Sequence, residues 1–147
     1  MGRRRASTSR RCPSAAAWRR PAPGRYDSDV ADTLNNLANL HKDLNRHEEA
    51  EGEYVEALSI RRRLAESSPG RYDSDVARTL YNLAILHAVN NHLMEAVQKV
   101  DDALAIFKRL AENNPVHFSS DVERAEKLHD MIHEKYQNSQ TDQTETE

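Results

Sequence analysis

The stretch PGRYDSDVADTLNNLANLH at residues 23–41 returns as PGRYDSDVARTLYNLAILH at residues 69–87, with 16 of 19 positions identical. Carried on without a gap, residues 23–68 and 69–114 agree at 26 of 46 positions, and Pro115 opens a third copy at the same interval of 46. Chance does not supply such a match. Self-similarity at this period marks a stacked-repeat architecture, in which one supersecondary unit recurs and neighbours bury each other's apolar faces. The third copy keeps Pro115, Ser120, Asp121, Val122 and His133 but loses most of the apolar pattern, so it reads as a terminal unit.

Within each copy the apolar residues fall at i, i+3 and i+4. Val30, Leu34, Leu37 and Ala38 mark one amphipathic helix, and Ala50, Tyr54, Ala57, Leu58, Ile60 and Leu64 mark a second. Val76, Leu80, Leu83, Ala84 and then Ala96, Val100, Ala103, Leu104, Ile106, Leu110 repeat the pattern. The spacing predicts helices near 29–44, 47–66, 75–90, 93–112 and 120–137, and no strand. Asp27, Ser28, Asp73 and Ser74 stand where N-cap oxygens are expected, and Ser120 with Glu123 has capping-box spacing. Asn45 and Asn91 mark the inner turns, and all five prolines lie in the tail or between units, where a missing amide hydrogen costs nothing.

At 147 residues the chain is expected to hold one domain or slightly less, which argues against a multidomain enzyme. Its net charge of −3 averages two unlike parts: residues 1–25 carry eight arginines and no acid, a charge of +8, which leaves −11 for the rest. No apolar run is long enough for a membrane span, and the single Cys12 has no partner for an internal disulfide, so a soluble protein of a reducing, cytoplasmic compartment is expected. Apolar content of 37% beside 31% charged residues suits a charged helical array. Residues 1–22 and 137–147 are expected to be disordered, leaving a repeat domain at 23–136, divided as 23–68, 69–114 and a capping segment 115–136.

With large apolar, Leu and small residues on the first helix and Ala, aromatic, Ala on the second, the unit resembles the tetratricopeptide repeat. Leu34, Leu37, Ala38, His41, Ala50, Tyr54 and Ala57 fill those positions in the first unit, and Leu80, Leu83, Ala84, His87, Ala96, Val100 and Ala103 in the second. Leu34–Ala38, Glu48–Ala50 and Glu56–Glu66 are most similar to the long-linker subfamily found in kinesin light chains and bacterial signalling proteins. Histidine replaces the family's aromatic at 41 and 87, and Val100 replaces the second-helix aromatic of unit two. The resemblance implies an all-α fold, a short α-solenoid of two helix pairs closed by a C-terminal capping helix. Two full units are fewer than the roughly three such stacks usually need. Capping by the last helix, self-association, and origin as a remnant of a longer array all answer that shortfall.

The resemblance further implies a concave groove, lined by the first helices, that binds a peptide or helix of a partner protein. Asp32, Asn35, Asn36, Asn39 and Lys42, then Arg78, Tyr81, Asn82, Ile85 and Val89, and finally Lys127, Met131 and Lys135 would face it. Asn36 and Asn82 match positions where the family often uses an amide to hold a ligand backbone, since an amide donates and accepts at once. Each equally suits a structural bond to the neighbouring helix. Tyr81, Ile85 and Val89 form an apolar stripe that either meets a partner or is covered by the last helix.

No glycine-rich phosphate loop, serine elbow or cysteine pair is present, so a non-enzymatic module with no cofactor and no small-molecule substrate is expected. His129 and His133 are one helical turn apart, but the sequence shows no carboxylate or thiol completing a metal motif, and no metal site is expected. His41, His87 and His133 recur at steps of 46, and protonation of half-buried rings in the helix seam predicts mild acid destabilisation. The arginine-rich tail is open to several readings: an electrostatic arm for nucleic acid or an anionic membrane, an organelle transit peptide, or a worn upstream unit, for which Trp18 aligns with Leu64.

Overall fold

A computed structural model describes residues 24–144. The arginine-rich segment and its alternative readings lie outside the described residues. Five helices follow in order: α1 Asp27–Asp43, α2 His47–Ser67, α3 Asp73–Val89, α4 Leu93–Asn113 and α5 Pro115–Thr144. Each packs on its neighbour in the chain, while α1 touches α3 and α3 touches α5. The result is an all-α solenoid of stacked helix pairs, with α1, α3 and α5 along one side.

Small residues set the spacing. Ala31, Ala38, Ala50 and Ala57 in the first unit, and Ala77, Ala84, Ala96 and Ala103 in the second, are all 0% exposed, so backbones approach where a larger side chain would hold them apart. Around them Tyr54 and Leu58 of α2, Leu80, Leu83 and Leu86 of α3, and Leu104 and Phe107 of α4 form one core that reaches Ala125 of α5. A second cluster joins Ala84, Ala96 and Val100 to Leu128 and Ile132, seating α5 on the second unit. Val30 and Leu37, expected among the core residues, are exposed because no described helix covers that side of α1.

The inner turns form as expected. Asn45 and Asn91 adopt φ of 59° and 61°, a left-handed conformation that asparagine tolerates better than most residues. The amide of Arg46 donates to His41 O and that of Asn45 to Lys42 O, and His92 with His87 and Asn91 with Ala88 repeat this Schellman ending. The outer turns differ from expectation. Tyr26 and Tyr72 occupy the N-cap positions without a side-chain cap, so Asp27 and Asp73 lie inside the first turn, where their charge favours the positive helix end. Each also meets the arginine 36 residues on, Arg63 at 2.8 Å and Arg109 at 3.1 Å, tying the second helix of a unit back to the start of the first. Ser120 lies inside α5, so its capping box does not form; Pro115 begins the helix instead, at the position where its fixed φ suits a first turn. Residues 137–144, expected to be disordered, continue α5.

Candidate partner-binding groove

Three residues separate the two copies of the first-helix motif: Asp32 against Arg78, Asn35 against Tyr81, and Asn39 against Ile85. All six face the concave side. A groove of about 510 Å³ is lined there by Asp32, Asn35, Asn36 and Asn39 of α1, Asp75, Arg78, Tyr81 and Asn82 of α3, with Arg61, Phe107, Asp121 and Arg124. Its three aspartates and three arginines cancel in charge.

Arg61 organises the floor. Its guanidinium is buried, which would be costly for an unpaired charge. Nη1 donates to Thr79 Oγ1 at 2.5 Å, Asp75 O at 3.3 Å and Asn35 Oδ1 at 3.4 Å, while Nη2 donates to Asp32 Oδ1 at 2.7 Å. The side chain of α2 therefore bonds both first helices at once and joins unit one to unit two. Asn82 Nδ2 adds a bond to Asn35 Oδ1 at 3.4 Å. On the α1 side, Tyr54 donates its hydroxyl to Asn39 Oδ1. Burial, reinforced by Asp43 and Glu53, pushes the Tyr54 pKa up to about 12, so the hydroxyl keeps the proton that this bond uses.

A second, apolar cleft of about 420 Å³ continues along the same face between α3 and α5, lined by Tyr81, Ile85, Ala88, Val89, Leu128, Met131, Ile132 and Lys135. Tyr81 belongs to both spaces. Val89 and Met131 are each 59% exposed, so α5 leaves part of the stripe open. Lys135 reaches across to donate to Ala88 O at 3.1 Å, a carbonyl in the last turn of α3 that also accepts from the Asn91 amide.

The structure thus brings Asn35, Asn36, Asn39, Arg78, Tyr81 and Asn82 to the polar groove, and Ile85 and Met131, again with Tyr81, to the apolar cleft. Lys127 lines neither and pairs with Glu123 at 2.8 Å, which raises its own pKa and lowers that of Glu123. The two asparagines at matching positions part company: Asn82 bonds its neighbouring repeat, whereas Asn36 is exposed and makes no side-chain hydrogen bond among the described residues. Arg61 and Phe107 were missed because they come from second helices, which the family pattern assigns to the outer side. Asp121 and Arg124 carried a legible signal, since they stand 46 residues after Asp75 and Arg78.

A protein-family model described as tetratricopeptide repeat matches residues 30–69, the span of the first helix pair up to the proline that opens the second copy. No curated protein matches the chain. Repeats of this kind generally serve protein–protein interaction and are typically non-enzymatic. Among the described residues, no helix is long and apolar enough to cross a membrane.

Proposed function

We propose that this chain is an interaction module whose concave face captures a peptide or short helix of a partner protein, with no catalytic step. The observation that carries this reading is the continuity of a charge-balanced polar groove and an open apolar cleft through one shared residue, Tyr81. A bound segment would place an apolar side chain against Ile85, Val89 and Met131 while Asn36 and Arg78 meet its backbone and polar groups. Cancelled charge in the lining argues for selection by shape and apolar anchoring rather than by the sign of the ligand. The subtype similar to kinesin light chains and a cytoplasmic setting belong to this same reading.

Peptides selected from a displayed random library against the full-length protein test it. We expect the selected peptides to share an apolar anchor, and Met131→Glu with Asn36→Ala to weaken them at least about tenfold, the effect of a loss near 1.4 kcal/mol. Peptides that bind this double variant as well as the unaltered protein place the binding surface elsewhere and overturn the reading.

A further inference from the structure

Outside the groove, Asp101 of α4 meets His129 and His133 of α5, and we propose that these three side chains bind a divalent transition-metal ion of the zinc class. The carboxylate that the histidine pair lacked in the sequence comes from the preceding helix, which only the packing of α5 on α4 reveals. One ligand atom from each residue lies within 4.8 Å of the others. Asp101 Oδ1 is 3.1 Å from His133 Nε2 and 3.3 Å from His129 Nε2. Three N and O ligands around a tetrahedral zinc at bond lengths near 2.1 Å stand about 3.4 Å apart, so those two separations already approach the metal-bound spacing.

Proton placement decides which ring atoms are free to ligate. His129 Nδ1 lies 3.0 Å from Asp130 Oδ1, and a carboxylate only accepts, so the ring donates its Nδ1 proton there. In the neutral ring Nε2 then carries a lone pair, and it faces another acceptor, Asp101 Oδ1. A proton on Nε2 or a metal ion bound there satisfies both atoms, and the 3.3 Å separation leaves room for either. A carboxylate on the far nitrogen is also the outer-shell partner that metal-bound histidines use to fix their tautomer. His133 donates from Nε2 to Asp101 in the metal-free arrangement at 3.1 Å; on binding, the neutral ring carries its one proton on Nδ1 instead, which frees the Nε2 lone pair for the ion. Two imidazoles with one carboxylate favour zinc, nickel or copper over magnesium and calcium, which prefer oxygen throughout. The ligand side chains are 31%, 32% and 48% exposed, so an ion can enter and retain an outward position for water. Val55 stands where Asp101 does in the first unit, so the α2–α3 junction lacks this site and the α4–α5 junction has it. Once bound, the ion ties the capping helix to the unit beneath it.

Titration of the chelator-treated, full-length protein with zinc chloride, followed by calorimetry and thermal melting, tests the assignment. We expect one equivalent to bind at this site and the melting temperature to rise with zinc concentration, with no rise in magnesium chloride. Asp101→Ala, His129→Ala and His133→Ala should each weaken zinc binding at least about tenfold, while His41→Ala, on a distant helix, should not. Absence of a zinc response in the unaltered protein, or His133→Ala with unchanged affinity, overturns the proposal. Should a variant lose its helical circular dichroism, cobalt titration of the unaltered protein decides: intense visible bands of a tetrahedral centre support the site, and the weak spectrum of hydrated cobalt refutes it.

Discussion

Val30, Leu37 and Leu40 on α1 are 44%, 38% and 53% exposed, whereas their counterparts Val76, Leu83 and Leu86 on α3 are 6%, 0% and 0% exposed. The two helices carry almost the same sequence, so the difference cannot be local. It arises because α2 packs over that side of α3, while α1 has no described helix in the equivalent place. In a stacked array the apolar pattern specifies which face is to be buried, and the neighbouring unit decides whether it is.

The largest expected effect follows directly. Leu83→Ala should lower unfolding free energy by about 2–5 kcal/mol, the range for truncating a fully buried leucine, while the matched Leu37→Ala costs less than about 1 kcal/mol. Urea denaturation of the pair measures both, and equal losses would break the comparison by showing that α1 is covered in solution. Next comes the position that is Arg61 in unit one and Phe107 in unit two. Arg61→Ala removes a buried charged donor from Asp32, Asn35, Asp75 and Thr79 and should cost about 1.5–3 kcal/mol, against almost nothing for the exposed Arg62→Ala. A neutral result in the same denaturation assay would mean that the inter-unit bonds contribute no net stability.

The smallest effect concerns the histidines that end the two first helices. His41 Nδ1 meets Glu53 Oε2 at 2.8 Å, but His87 is 5% exposed with a buried Nδ1 that has no hydrogen-bond partner among the described residues. Burial holds the His87 pKa below its ordinary 6.5; Lys99 and His92 act in the same direction, and Glu51 and Glu95 oppose them. Below pH 6.5 the unfolded chain therefore takes up this proton before the folded one does, so stability is fully present above that pH and declines as pH falls toward the lowered folded value. Melting temperatures between about pH 7.5 and 5.5 should decline in the unaltered protein and flatten in His87→Phe. An undiminished decline in that variant would assign the acid sensitivity to another group.

Helix positions, inner turns and the all-α stacking were legible because they rest on short-range rules: apolar spacing, an asparagine at each tight turn, alanines at fixed offsets. Longer-range facts were not. Ser120 has the spacing of a cap yet sits inside α5, because Pro115 already starts the helix. The polar composition of QNSQTDQT suggests a disordered tail, but its residues include no helix-breaking proline or glycine and α5 extends through it. First-helix spacing expects Asn36, Arg78 and Tyr81 on one face, and all three line the polar groove, but spacing does not show that Asn82 is engaged with Asn35 or that Arg61 reaches through from α2. Those depend on which helix lies against which, and a single unit carries no record of that.

Two near-duplicate units in one chain pose a problem of identity: either could stack in the other's place. Arg61 resolves it. In the stack as formed it donates to Thr79 Oγ1; with the units exchanged it would meet the residue 46 positions further on, Ala125. Alanine accepts no side-chain hydrogen bond, so the guanidinium would keep Asp32 and Asn35 of its own unit but lose its side-chain bond to the next. The buried arginine thus works as a serial number, giving each copy a fixed place in the order.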